Sequence, residues 1–242
     1  EMSASLVGSE MCIRDSGMTD GIRQVLQEES DALRAYYEQA GILIARPAGG
    51  TSCRLAISAK GGTNAENHNH NDVGSYAVAL GSETMVGDQG GPNSYPGDYF
   101  NGDAPQKYKI KGSFGHPVPV VDGRTQSSGG KAKGVVLQKE FTNEKDVFSI
   151  DYTSAYSTPN LDKLIRTFVY DRQGEGNFTV GDEFTAKTPI RFETAITTQA
   201  AWKVLDDTRL LLTSGTEQMI VNIEASVSYT HLRAHETSAH LV

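Results

Sequence analysis

From Gly41 onward, apolar and polar residues alternate in short runs. "ILIAR" (Ile42 to Arg46), "CRLAIS" (Cys53 to Ser58), "SYAVAL" (Ser75 to Leu80), "KGVVLQKEF" (Lys133 to Phe141) and "DVFSIDY" (Asp146 to Tyr152) set the pattern. "KLIRTFVYD" (Lys163 to Asp171), "NFTVGDEF" (Asn177 to Phe184), "IRFETAIT" (Ile190 to Thr197), "RLLLT" (Arg209 to Thr213) and "QMIVNIE" (Gln218 to Glu224) continue it. A period of two sends successive side chains to opposite faces, as in strands with one buried face. Gly, Asn, Asp and Pro turns separate the runs, which predicts an antiparallel sandwich or barrel. With no long helix between them, a parallel α/β sheet is disfavoured. Upstream the period changes: Ile22, Val25, Leu26, Leu33, Tyr36 and Tyr37 fall at three-to-four spacing and Gly41 follows, predicting a helix between Asp20 and Ala40. The expected fold is mainly β, an antiparallel β-sandwich preceded by one α-helical segment.

Residues 87–130 break the alternation, being rich in Gly, Pro, Asn, Ser and Tyr. A loop of this length inside a compact domain is uncommon unless it has a function.

The ends of the chain change which residues enter the reading. "LVGSEMCIRD" (Leu6 to Asp15) can be encoded by a DNA whose reverse complement translates as "VSYTHLRAHE" (Val227 to Glu236). The pair resembles one sequencing-library adapter read on opposite strands, so residues 1–16 and 227–242 are expected to be artefact tails. Residues 17–40 would then be the end of a helical domain, and 41–226 an incomplete sandwich domain. Setting the tails aside leaves Cys53 without a disulfide partner, expected as a buried small hydrophobe. Glu1, Glu10, Arg14 and Asp15 leave the first tail at −2 and Arg233 with Glu236 cancel in the second, so of the formal −8 the rest carries −6. Such acidity argues against a nucleic-acid surface, although a local basic cleft for a polyanion is compatible with it. No apolar run approaches the roughly 20 residues of a membrane span.

The histidines left are His68, His70 and His116, all in or beside the irregular region. His-x-His on a strand would place both imidazoles on one face. Zinc takes His nitrogen and Asp oxygen, usually four ligands. Asp88 in "MVGDQGG" follows His70 by eighteen residues, and His116 in "SFGHPVP" follows by a further twenty-eight. Either His70, Asp88 and His116 share a metal, or they are three separate solvent-facing polar groups. A cupin centre is disfavoured, because no Glu occurs among Asn71, Asp72, Val73, Gly74 and Ser75.

The order "KGGTNAENHNHNDVGSYAVALGSETMVGDQGG", "NSYPGDYFNGD", "SFGHPVPVVDGRTQSSGG" and "LIRTFVYDR" resembles the C-terminal half of heparinase II/III-like polysaccharide lyases, which include alginate and oligoalginate lyases. The likeness runs from about Gly41 to Phe192. It implies an α/α toroid upstream of a β-sandwich, and β-elimination on an acidic, uronic-acid-containing polysaccharide or oligosaccharide. By matching positions, His70, Asp88 and His116 would be ligands of one structural zinc ion. Asn67 and His68 would face the substrate carboxylate, Tyr99 would serve in acid–base chemistry, and Tyr95 and Tyr108 would bind substrate. Pro117 departs from the Asn that follows the third ligand in many relatives. The family's principal catalytic tyrosine and a further histidine lie in the toroid, so this segment is expected to be inactive alone. The resemblance also implies a periplasmic or secreted protein; from charge and hydropathy no nucleic-acid or membrane partner is expected. The alternative is a noncatalytic carbohydrate-binding sandwich that keeps a structural metal site.

Among the remaining signals, Asn177-Phe178-Thr179 is read as a chance sequon, "GKAKG" as a turn, and Trp202 as a core residue.

Overall fold

The computed structural model describes residues 32–88, 90–91 and 94–225. Both expected tails and the first part of the predicted helix lie outside that range. The first strands are β1 (Arg34–Tyr37), β2 (Ile42–Ala45), β3 (Leu55–Lys60), β4 (Thr63–Asn64), β5 (Tyr76–Leu80) and β6 (Glu83–Val86). The irregular region holds a single helical turn α1 (Ala104–Lys107), a 3-10 turn at Ser113–Gly115 and β7 (Val120–Val121). Then come β8 (Gly129–Lys133), β9 (Val135–Phe141), β10 (Lys145–Asp151), β11 (Leu161–Asp171), β12 (Asn177–Ala186) and β13 (Phe192–Glu193). A last meander is built from β14 (Ala201–Asp206), β15 (Arg209–Ser214) and β16 (Glu217–Asn222).

All pairings are antiparallel, in a five-stranded sheet of order β1-β2-β3-β5-β6 and a four-stranded sheet of order β12-β11-β10-β9. The alternation read from the sequence decides which side chains go in. Leu43 and Ala45, Leu55, Ile57 and Ala59, and Val78 line the inner face of the first sheet; Phe148 and Ile150, with Leu164, Phe168 and Tyr170, line the second. These residues form one core cluster, so the two sheets make a sandwich. Tyr76 bridges them edge-on to Phe168 and Phe178. Cys53 is buried, its sulfur 3.5 Å from the Tyr170 hydroxyl, as expected for a small core residue.

Four expectations need correction. Arg34–Tyr37, inside the predicted helix, is strand β1 paired to β2. Leu33, Tyr36 and Tyr37 fit either period over so short a run, and packing decides: Tyr36 lies 5.6 Å from the Phe141 ring and 5.8 Å from Phe148. Gly41 closes this hairpin at φ +62°, where an added Cβ would meet the Gly62 nitrogen at 2.8 Å. The predicted strand Ile190–Thr197 contracts to β13, and Lys133–Phe141 divides into β8 and β9. Trp202, expected in the core, is 39% exposed on the edge strand β14.

Candidate functional site

The segment 65–75 leaves strand geometry altogether. Its asparagines explain why it can do so and still be ordered. Asn64 donates to the Gln126 side chain (3.0 Å) and to the Ser127 carbonyl (2.8 Å), and accepts from the Asp72 N–H. The buried Asn71 amide donates to the Gln126 carbonyl (3.0 Å) and to Ser128 (3.1 Å). Gln126 also bonds both backbone groups of Val73. Lys60 pairs with Asp72 at 2.6 Å. Side-chain amides here replace ladder partners for buried backbone groups, which would otherwise cost about 1–3 kcal/mol each. Gln126 is the organising residue that sequence reasoning missed; its place in "RTQSS" carries no periodic signal.

One consequence concerns the two histidines. His68 adopts a left-handed backbone (φ 57°), so it and His70 do not share a strand face. His70 turns inward toward His116, with Nδ1 to Nε2 at 3.0 Å. His68 turns outward, exposed, against Phe100 with ring centroids 4.4 Å apart. Asn67 is exposed beside it.

Asp88 follows β6, where Thr197 fixes Gly87 by donating from its hydroxyl to that carbonyl (2.6 Å) and accepting the Gly87 N–H at its own carbonyl (3.0 Å). His116 caps the 3-10 turn and is buried. Gly115 before it lies so close to Ile110 that an added Cβ would meet the carbonyl oxygen at 2.6 Å. Ligand atoms of His70, Asp88 and His116 all fall within 4.8 Å of one another. The two imidazole nitrogens are separated by nearly the edge of a tetrahedron with metal–nitrogen bonds of about 2.0–2.1 Å, which is about 3.3 Å. Asp88 Oδ2 stands 4.0 Å from His116 Nδ1, on the half-exposed side of the cluster. Burial lowers the pKa of both histidines, and for His70 the neighbouring His116 adds to the effect. Burial thus favours the neutral imidazole, the form that ligates metal. Two imidazoles and one carboxylate are a donor set suited to zinc, so the residues fit such an ion.

The predicted tyrosines assemble beside His68. Tyr95 is exposed and lies 5.0 Å from the Tyr99 ring and 5.2 Å from Phe100. Tyr108 lies tilted 5.2 Å from the Tyr99 ring and donates its hydroxyl to Asp98, which also pairs with Lys107. Tyr99 is only 2% exposed; its hydroxyl has no hydrogen-bond partner among the described residues, and burial raises its pKa. Phe100 and Lys111 complete the cluster and were not singled out in the sequence.

From the opposite side, buried Arg166 of β11 joins both histidine-bearing segments. It forms a two-point pair with Asp182 (2.8 and 2.6 Å) and donates to the carbonyls of Gly74 (2.8 Å) and Pro117 (2.7 Å).

No family model matches the chain, and no curated protein matches it. Among solved structures, the chain is similar to the heparan sulfate lyase HepC from Pedobacter heparinus, at 18% identity and a TM-score of 0.57 over 76% of this chain and 27% of that one. A HepC mutant from the same organism is similar at 15% identity and a TM-score of 0.56 over 77% and 30%. The chain thus spans less than a third of the length of these structures and has the fold of the part that it matches.

Proposed function

We propose that this chain is the sandwich part of a polysaccharide lyase that cleaves a uronic-acid-containing glycan by β-elimination. The observation that carries this reading is the gathering of ligand atoms of His70, Asp88 and His116 within 4.8 Å of one another, with His68 two residues away turned toward solvent, on a fold similar to that of a heparan sulfate lyase. In such a reaction a proton leaves carbon 5, alpha to the carboxylate. The electron pair forms the 4,5 double bond, and the glycosidic oxygen at carbon 4 departs with a proton. Charge that builds on the carboxylate needs donors placed in advance; the Asn67 amide and the His68 imidazole would supply them. The Tyr99 hydroxyl, buried with no hydrogen-bond partner among the described residues, is a costly group that acid–base work on the sugar would satisfy. Tyr95 and Tyr108 would contact sugar rings.

His70, Asp88 and His116 would hold one zinc ion. Bound there, it would cross-link the 65–75 segment to the 87–117 loop. The chain's own residues, not the ion, are assigned the contacts to the sugar.

Elimination leaves an unsaturated uronate that absorbs in the ultraviolet. A longer product of the same gene, including the residues upstream, is expected to raise the absorbance of at least one of alginate, heparan sulfate or related uronic polymers. The 242-residue chain is expected to bind oligo-uronates without turnover. Binding by the longer product with no absorbance change on any such polymer would favour the noncatalytic carbohydrate-binding alternative and overturn the lyase assignment.

A further inference from the structure

We propose that Phe100 is a positioning residue for His68; the inference rests on the uronate-binding reading of His68. A left-handed, exposed histidine is an unusual residue: φ > 0 is uncommon outside glycine, and its side chain would ordinarily sample several rotamers. Here the imidazole has a neighbour. The Phe100 ring lies 4.4 Å from it, tilted 35°. Such a contact covers the flat face of the imidazole and leaves the ring edge, where both nitrogens sit, open to a ligand. Fixing that edge before binding removes part of the ordering cost that a mobile side chain would incur.

Phe100 can act in this way only if it is itself fixed, and its surroundings provide for that. Tyr99 meets it edge-on at 5.3 Å and Tyr95 lies tilted against it at 5.2 Å. Beneath them is Lys111, 2% exposed and with no carboxylate in salt-bridge range among the described residues. Its ammonium lies 5.3 Å from the Phe100 centroid and 4.8 Å from that of Tyr99, and donates to the Tyr99 carbonyl at 2.8 Å. A buried cation is costly unless satisfied, and aromatic faces supply part of what a carboxylate would. The Lys111 backbone makes the second connection: its carbonyl accepts the Asn71 N–H at 2.8 Å, three residues beyond His68. Lys111 therefore ties the aromatic loop to the histidine segment, and Phe100 carries that constraint to the His68 ring. Phe100 itself is 49% exposed, so replacing it does not open the core.

The test compares wild type with Phe100→Leu, Phe100→Tyr and His68→Ala in the 242-residue chain. Proton NMR reads the ring-current shift of the His68 imidazole, calorimetry reads binding of a defined oligo-uronate, and thermal melting controls for folding. The wild type should show His68 ring protons displaced upfield. Phe100→Leu should lose that displacement and bind about three- to tenfold more weakly, the range an aromatic pair contributes, with an unchanged melting temperature. Phe100→Tyr should keep both the shift and the affinity. An unshifted imidazole in wild type, full affinity in Phe100→Leu, or a Phe100→Tyr variant as weak as Phe100→Leu would overturn the proposal. If His68→Ala binds the oligo-uronate as wild type does, the uronate reading is what fails, and the ring shift alone decides whether Phe100 fixes His68.

Discussion

Replacing Arg166 with Met would show how far the sandwich supports the site. Arg166 is wholly buried and stands directly opposite Asp182 in the β11–β12 register. Burial works against its cation, yet Asp182, with Tyr152 beside it, raises its pKa above the usual value. Methionine is long enough to fill much of the space but has no charge and no donors. The Asp182 carboxylate, 10% exposed, would keep the Tyr152 hydroxyl at 2.7 Å and lose its counter-ion. Breaking one partner of a buried pair costs about 3–5 kcal/mol. For a domain of this size each kcal/mol is about 2–4 °C of melting temperature, so a fall of roughly 6–20 °C is expected, read by calorimetry or circular dichroism. Arg166→Met with Asp182→Leu removes the orphaned charge and should recover part of the loss. A single variant melting within about 2 °C of wild type, or a double variant no more stable than the single one, would show that the Arg166–Asp182 pair does not support the sandwich in this way.

Three further outcomes follow from the packing. Gly115→Ala pushes a Cβ against the Ile110 carbonyl and should displace His116, so zinc retention after dialysis should fall while far-ultraviolet dichroism stays that of a β protein; undiminished retention would contradict this. Trp202→Ser on the exposed edge strand should change stability by no more than about 0.5 kcal/mol, whereas Phe148→Ala in the core should cost about 3–5 kcal/mol; urea titration separates the two. If the metal is a clamp, a chelator should lower the melting temperature of wild type and leave His70→Ala unaffected, and an unchanged wild-type melt after complete zinc removal would sink the clamp.

What the sequence made legible follows from what a period can encode. Along β11, within the run read as a strand, the inward positions Leu164, Arg166, Phe168 and Tyr170 alternate, since pleating alone sets that order. Alternation could not say that an arginine inside the series is buried, because its partner Asp182 is supplied by register with another strand. Residues 34–37 were misread for a related reason, since four residues cannot distinguish two periods when Phe141 and Phe148 wait across the core. Trp202 was expected inside, yet β14 lies at a sheet edge beyond the core. At the site, residue types left a shared metal and three separate polar groups as alternatives and the family resemblance pointed to the first; the ligand atoms of His70, Asp88 and His116 lie within 4.8 Å of one another. The opposite orientations of His68 and His70 depend on one positive φ, which a His-Asn-His string does not announce. Gln126, Phe100 and Lys111 act through contacts distant in sequence, and nothing local marks them.

In the proposed protein one metal ion joins the 65–75 segment to the 87–117 loop through His70, Asp88 and His116. Zinc per chain, measured by elemental analysis after dialysis against dilute zinc and then metal-free buffer, tests it most directly. Wild type should retain one ion per chain, and His70→Ala and His116→Ala should retain essentially none while staying folded. Wild type that retains no zinc, or variants that retain it in full, would contradict the account.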